Sequence, residues 1–170
     1  RSSTVYNELE WLMNSILPAA YYSVCGARNG NKCHNMLVHS CGIIRHGQAL
    51  VFAGPSGTGK TTVARLCGDK YGSVINDEMV FVSRPDNNNH AITVQGAPII
   101  GEVPQRLNVN SRVTCVILLK QSARTVFRRL NRLEAYLGFI RQVIAPNTLL
   151  STIGGRRVLT PPTGFGGEIA

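Results

Sequence analysis

The sequence predicts an α/β fold with a mixed sheet, in which an antiparallel hairpin leads into a glycine-rich loop and helices flank the strands. An apolar run at residues 49–53 is followed by the turn GPSGTGKT and then by a segment with helical spacing. A second strand-like segment, MLVHSCGIIR at 36–45, precedes this run, and only His46 and Gly47 lie between the two. Two residues that include glycine close a hairpin but cannot carry a parallel crossover, so we expect antiparallel pairing.

The remaining elements follow from their own patterns. Apolar residues at helical spacing predict an amphipathic helix at 3–17, and short strands are predicted at 73–76, 79–83 and 90–95. The nearly continuous apolar run at 112–120 predicts a buried strand. Residues 122–145 predict a long helix with Ser122 as its N-cap and an apolar stripe along one face.

Composition favours a globular protein with an acidic partner. The chain has 170 residues, of which 44% are hydrophobic, and a formal net charge of +9. Ten of its 18 Lys and Arg residues lie beyond residue 100, which suits a nucleotide, an acidic protein or a nucleic acid. The alternative for Arg128, Arg129 and Arg132 is a solvated helix face. No apolar run reaches the 18 residues of a membrane span, so we expect no membrane partner.

The cysteines indicate a reducing compartment. Their number, five, is odd and they form no CxxC pair, so we expect a cytoplasmic protein without a disulfide framework. One alternative is a metal site, although the spacing matches no zinc template. Its ligands would be Cys33, His34, His39 and Cys41.

The glycine-rich loop matches the phosphate-binding pattern GxxxxGK[ST] between a strand and a helix. Glycine allows positive φ, so backbone N–H groups can converge on an anion at the positive end of the helix dipole. Lys60 would then contact the β and γ phosphates of ATP, and the Thr61 hydroxyl would ligate Mg²⁺. The predicted nucleotide-binding residues are Gly54, Pro55, Ser56, Gly57, Thr58, Gly59, Lys60, Thr61 and Thr62.

An acidic pair follows the strand at 73–76. Asp77 lies seventeen positions after Lys60, which is enough for one helix and one return strand, so Asp77 and Glu78 can face the phosphates. We expect both to be metal ligands together with Thr61. Glu102 is an alternative metal ligand, and Arg106, Arg112 and Arg124 are candidates for neutralising the transferred phosphoryl group.

Residues 37–102 resemble the catalytic domain of HPr kinase/phosphorylase, which shares the phosphoenolpyruvate carboxykinase type of phosphate-loop fold. The resemblance lies in LVHSCGII with His39, the hairpin, GPSGTGKT, VINDEMVFV and QGAPIIGE. It implies ATP-dependent phosphoryl transfer to a hydroxyl, usually of serine. Asp77 would be the general base, His39 would lie near the reacting phosphate and Glu78 would assist. Thr93 and Gln95 stand where the bifunctional kinases have a carboxylate and an arginine, so we expect a divergent relative rather than HPr kinase itself.

We therefore expect one kinase-like domain over residues 1–170. It would comprise an N-terminal helix and loop at 1–35, a nucleotide-binding core at 36–120, a long helix at 121–146 and a loop-rich tail at 147–170. The acceptor would be a hydroxyl of a protein, peptide or small molecule, nucleic acid is not favoured, and a homo-oligomer remains open. The alternative function is an ATP-binding regulatory module with little catalysis, which would bind its partner through a basic C-terminal surface.

Overall fold

Strand pairing around the glycine-rich loop sets the architecture of this α/β protein. The computed structural model describes residues 35–68, 70–84, 91–99, 101–104, 107–144, 150–153 and 156–159. The chain divides into two compact units, one formed by residues 36–143 and the other by residues 1–35 together with 144–170. The prediction of one domain over the whole chain stays a prediction, and the predicted helix at 3–17 lies outside the described residues.

The first unit contains a six-stranded mixed sheet and, among its described residues, two helices. Its strands are β1 (Asn35–Arg45), β2 (Gln48–Ala53), β3 (Ser73–Asn76), β4 (Met79–Ser83), β5 (Thr93–Gly96) and β6 (Asn110–Leu118). The helices are α1 (Lys60–Gly68) and α2 (Arg132–Ile140). In the second unit, β7 (Leu150–Ile153) and β8 (Arg156–Leu159) form an antiparallel pair.

The predicted hairpin ahead of the loop is confirmed. β1 and β2 pair antiparallel, with Arg45 opposite Gln48. His46 and Gly47 have φ angles of 50° and 73°, and positive φ at both central residues is the conformation that a tight two-residue hairpin requires. β2 pairs parallel with β6 on its other side, so the sheet is mixed as predicted.

The sheet encloses an aliphatic core. Its order is β2-β6-β5-β4-β1-β3, and β1 also pairs with β2, so the pairing of five strands closes into a ring. One buried cluster gathers side chains from β1 to β5: Val38, Ala49, Val51, Ile75, Val80, Val82 and Val94. A second cluster, which includes Ala64 of α1, packs that helix against β1 and β3. This packing fixes α1, and with it the end of the glycine-rich loop.

The long helix predicted at 121–146 is wrong. Residues 121–131 are not helical, and α2 begins only at Arg132. Asn131 is its N-cap: the Asn131 side chain accepts the Glu134 N–H and the Glu134 carboxylate accepts the Asn131 N–H. This reciprocal capping satisfies backbone donors that a longer helix would have used internally. Ser122 makes only a local contact, since its hydroxyl accepts the Arg124 N–H.

The apolar run at 112–120 does form a strand, but the prediction that this strand is buried is wrong. Val116 is 43% exposed, and most of β6 lies at least partly in solvent. α2, which contains no buried residue, approaches the strand closely at Gly138, where a β-carbon would meet the Leu118 side chain. The apolar character of β6 therefore predicts more burial than the strand has.

Candidate phosphate-binding site

The loop between β2 and α1 has the conformation expected of a phosphate cradle. Gly57 and Gly59 have φ angles of 79° and 102°, which side chains with a β-carbon rarely adopt. Thr58 stabilises the turn, because its hydroxyl and its backbone N–H both bind the Pro55 carbonyl, at 2.7 and 3.3 Å. Helical bonding starts immediately afterwards, with the Val63 N–H donating to the Gly59 carbonyl at 2.9 Å. The loop therefore meets a helix N-terminus whose amide groups favour an anion.

Lys60 lies over this loop. Its side chain is folded back so that Nζ donates to the carbonyls of Gly54 and Pro55, at 2.9 and 3.1 Å, and the residue is only 6% exposed. Burial lowers the pKa of Lys60, while the electrostatic interactions with Glu78 and Cys41 act in the opposite direction. An ammonium has three donors, so one remains to bind a phosphate oxygen while two hold the side chain on the loop. Thr61 and Thr62 follow as the next helical residues, Thr61 half-buried and Thr62 exposed.

The end of β6 supports the loop from the side. The Leu119 N–H donates to the Ala53 carbonyl at 2.8 Å, and the Gln121 side chain donates to the Gly57 carbonyl at 2.6 Å. Nothing in the sequence pattern singled out Gln121, because its role depends on the parallel pairing of β2 with β6.

That same pairing distinguishes two of the three arginine candidates. Arg112 pairs with Gln48, whereas Leu118 pairs with Ala53, so Arg112 lies at the far end of the strands, roughly 16 Å from the loop. Arg124 follows Gln121 by three residues on the loop side of the sheet. Arg106 lies outside the described residues. Arg124 is therefore the better placed of the two described candidates.

Asn76 builds the corner that carries the acidic pair. It is the last residue of β3 and is 1% exposed. Its side-chain NH₂ donates to the carbonyls of Ala97 and Ile99, both at 3.0 Å, while its side-chain oxygen accepts the N–H groups of Glu78 and Met79 at 2.8 and 3.0 Å. Asn76 was not among the predicted site residues. An asparagine between an apolar strand and two acids was the available signal, since Asn side chains often bind backbone groups two and three residues ahead.

Asp77 is enclosed within the protein. Its side chain is 0% exposed, and its Oδ2 accepts the Glu102 N–H at 3.1 Å. Among the described residues, Oδ1 is buried without a hydrogen-bond partner. Gly101 lies against the same carboxylate so closely that a β-carbon at Gly101 would collide with it. A buried carboxylate oxygen without a partner is costly, which makes Oδ1 a candidate ligand for a cation or for water.

Glu78 lies beside Asp77 in a more open setting. Its Oε1 is 3.5 Å from His39 Nε2, and the side chains of His39 and Glu78 are 24% and 40% exposed. The hydrogen bond with His39 is the main cause of the lowered pKa of Glu78; burial opposes it, and the charges of His39 and Lys60 add to it. The Ser40 N–H donates to the Glu78 carbonyl at 3.1 Å and so holds this residue against β1.

Electrostatic interactions link Lys60 to Glu78, and they link Cys41 to both Lys60 and Asp77. The pKa of Cys41 is raised to about 12, mainly by burial and also by Asp77 and Cys67, while Lys60 acts to lower it. Cys41 is thus close to both Lys60 and Asp77, and Glu78 is close to both Lys60 and His39. The structure therefore places His39 and Glu78 in contact, with Asp77 next to Glu78 along the chain and Lys60 within electrostatic range of Glu78.

The structure does not bring the alternative metal ligands together: Glu102 lies at the surface, and Cys33 and His34 are not among the described residues. The Glu102 carboxylate pairs with Arg65 of α1 at 2.7 Å on the surface, and only its backbone N–H contacts Asp77. Within the described part of the chain, no three His, Cys, Asp or Glu residues form a group suited to hold a metal ion. An ion at this site would therefore need oxygen atoms of a bound nucleotide as well as protein ligands.

Comparison with protein-family models and with curated proteins finds no match to this chain. Among the residues that the structure describes, no helix has the length and apolarity needed to span a membrane. The interpretation of the site therefore depends on its geometry: a loop shaped for an anion, a lysine above it and two acids within electrostatic reach.

Proposed function

We propose that the protein is an ATP-dependent kinase that transfers the γ-phosphoryl group to a hydroxyl, as a divergent member of the HPr kinase and phosphoenolpyruvate carboxykinase branch of phosphate-loop proteins. The observation that carries the proposal is the position of Lys60. It is held over a loop with two positive-φ glycines, close to the charge of Glu78. This combination suits a chain of phosphates that ends beside an acid.

In the proposed reaction, the loop amides and Lys60 hold the β and γ phosphates while the acidic pair lies beside the terminal group. Binding in this geometry orients the γ-phosphorus for in-line attack by an acceptor oxygen. A carboxylate of the pair accepts the proton of the acceptor hydroxyl, and His39 keeps Glu78 oriented. Arg124 is the proposed arginine that neutralises charge on the equatorial oxygens.

The residues present fit a magnesium ion. Asp77 Oδ1 is buried without a protein partner among the described residues, and Thr61 supplies a hydroxyl at the start of α1. Mg²⁺ prefers such oxygen ligands and usually takes one or two carboxylates together with substrate phosphates. Thr61, Asp77 and Glu78 would hold it. When bound, the ion would neutralise negative charge on the β and γ oxygens.

The proposed acceptor is a hydroxyl, usually of serine, on a protein, a peptide or a small molecule, and the proposed compartment is the cytoplasm. A regulatory ATP-binding module is the second candidate, because residues 120–132 are strongly basic and almost all exposed. It would bind ATP and a partner but transfer no phosphate.

Titration calorimetry with MgATP tests the nucleotide site. Lys60→Ala should weaken binding about 10- to 100-fold, the usual range for a lost charged hydrogen bond. Lys70→Ala is the matched control, since Lys70 is exposed and lies near the β1–β2 turn, at the other end of β2 from the loop. It should bind MgATP like the wild type. Wild-type protein that gives no heat with MgATP, or Lys60→Ala that binds normally, would contradict the proposal.

Transfer from labelled ATP then separates the kinase from the regulatory module. Mass spectrometry of serine peptides and free amino acids after incubation should detect a phosphorylated product. A protein that binds MgATP tightly without phosphorylating any acceptor or hydrolysing ATP would favour the regulatory module.

A further inference from the structure

Two neighbouring acids of the site lie in opposite environments. Asp77 is fully buried, whereas the side chain of Glu78 is 40% exposed. Building on the proposed function, we propose that Glu78, paired with His39, is the carboxylate that meets the acceptor hydroxyl, and that Asp77 is a positioning residue that faces the interior. The family resemblance would assign the proton transfer to the first acid of the pair, so this inference reverses that assignment.

The surroundings of Asp77 leave no room for an acceptor. One carboxylate oxygen binds the Glu102 N–H, and Gly101 lies against the other closely enough to exclude even a β-carbon. The Asp77 side chain is also 0% exposed, so no path is open for an acceptor hydroxyl and the carbon atom that carries it. Asp77 can therefore serve the segment at 101–102 and a small ligand such as a cation, but it cannot meet a substrate side chain.

Glu78 has the opposite properties. Its backbone is fixed on both sides, because its N–H donates to the Asn76 side chain and its carbonyl accepts the Ser40 N–H. The carboxylate points to a half-open position beside His39 and within the field of Lys60. It therefore combines a fixed origin, an orienting partner and access from solvent, which a proton acceptor for an incoming hydroxyl requires.

Asn76 explains why the two acids diverge. Its side-chain oxygen binds the N–H groups of both Glu78 and Met79, which closes a tight turn directly after β3. Asp77 lies at the inner side of this turn, against Gly101, and Glu78 lies at the side of β1. The turn, rather than the order of the acids in the sequence, decides which carboxylate is accessible.

The proposed step transfers one phosphoryl group and one proton. The acceptor oxygen bonds to the γ-phosphorus as its proton passes to the Glu78 carboxylate. The bond between the γ-phosphorus and the β–γ bridging oxygen breaks, and ADP leaves with that bond's electron pair. The proton on Glu78 is then released to solvent, to which this side chain is open.

Three single variants test the inference: Glu78→Gln, Asp77→Asn and the control Glu134→Gln. Glu134 lies in the first turn of α2, where its partners are Asn131 and Arg128, and glutamine also supports its capping role. The rate is measured as ADP release with water as the acceptor and as transfer to a library of serine peptides. MgATP affinity, the Mg²⁺ concentration for half-maximal ATP binding and the unfolding temperature are measured on the same samples.

We expect Glu78→Gln to lower both rates by about 100-fold or more even at saturating Mg²⁺ and ATP, the scale of a lost general base. Asp77→Asn should raise the Mg²⁺ concentration for half-maximal ATP binding about tenfold but keep most of the rate at saturating Mg²⁺. An Asp77→Asn variant that does not fold also supports the positional role, and Glu78→Gln then decides the catalytic one. Glu134→Gln should match the wild type throughout.

Two results would overturn the inference. One is a Glu78→Gln variant with the wild-type rate. The other is an Asp77→Asn variant that folds and binds MgATP normally but loses 100-fold in rate at saturating Mg²⁺. Failure of the proposed function gives a different result, because the wild-type protein itself would then neither hydrolyse ATP nor phosphorylate the peptides, and that outcome overturns both.

Discussion

Replacing Asn76 by alanine should strongly destabilise the protein, because this one buried side chain makes four hydrogen bonds. Alanine would leave the carbonyls of Ala97 and Ile99 and the N–H groups of Glu78 and Met79 without these partners. At about 1 kcal/mol for each bond, the free energy of unfolding should fall by about 3–5 kcal/mol. That is a large share of the roughly 5–15 kcal/mol by which domains are stable.

Urea denaturation followed by circular dichroism measures this loss directly. Asn108→Ala is the matched control, since Asn108 has one side-chain hydrogen bond, from exposed Gln95 at 3.0 Å. Its removal should change the free energy of unfolding by less than about 0.5 kcal/mol. A loss below about 1 kcal/mol for Asn76→Ala, or one equal to that of Asn108→Ala, would refute the reasoning that Asn76 organises the corner.

Three further predictions follow from single contacts. Gly101→Ala should lower the unfolding temperature, because the new β-carbon would collide with the Asp77 carboxylate; an unchanged melt would show that the segment yields freely. Burial raises the pKa of Cys41 to about 12, so iodoacetamide at pH 8 should label exposed Cys115 well before Cys41 in peptide maps, and equal labelling would contradict this. Because the pKa of Glu78 is lowered in the folded state, its stabilising contribution is present above its ordinary value of 4.5 and is lost as the pH falls below that through the folded value. Unfolding temperatures between pH 3 and 6 should therefore depend less on pH in Glu78→Gln, and identical profiles would argue against the His39 contact.

The elements that could be predicted are those with a local physical cause. His46 and Gly47 allow only a tight turn between two apolar strands, so the antiparallel hairpin could be inferred without any tertiary information. The glycines of the loop likewise predicted positive φ angles, and Gly57 and Gly59 have them. Strand β3 ended at Asn76 as its apolar run indicated.

The failed predictions show where periodicity is insufficient. Apolar residues at helical spacing suggested that one helix covered residues 122–145, yet Val126 and Phe127 are 76% and 86% exposed. Without a surface to pack against, an apolar stripe gives a helix little stability. The better local signal was Asn131 followed three residues later by Glu134, which is the capping pair that begins α2.

By itself, the sequence determined a glycine-rich loop between a hairpin strand and a helix, and an acidic pair after the next strand, because turn chemistry and the order of elements act over a few neighbouring residues. Only the tertiary structure decided what surrounds each acid. Burial, the contact with Gly101 and the pairing with His39 arise from segments that are distant along the chain. The two adjacent carboxylates therefore acquire different exposure and different partners, which the order of the acids in the sequence does not reveal.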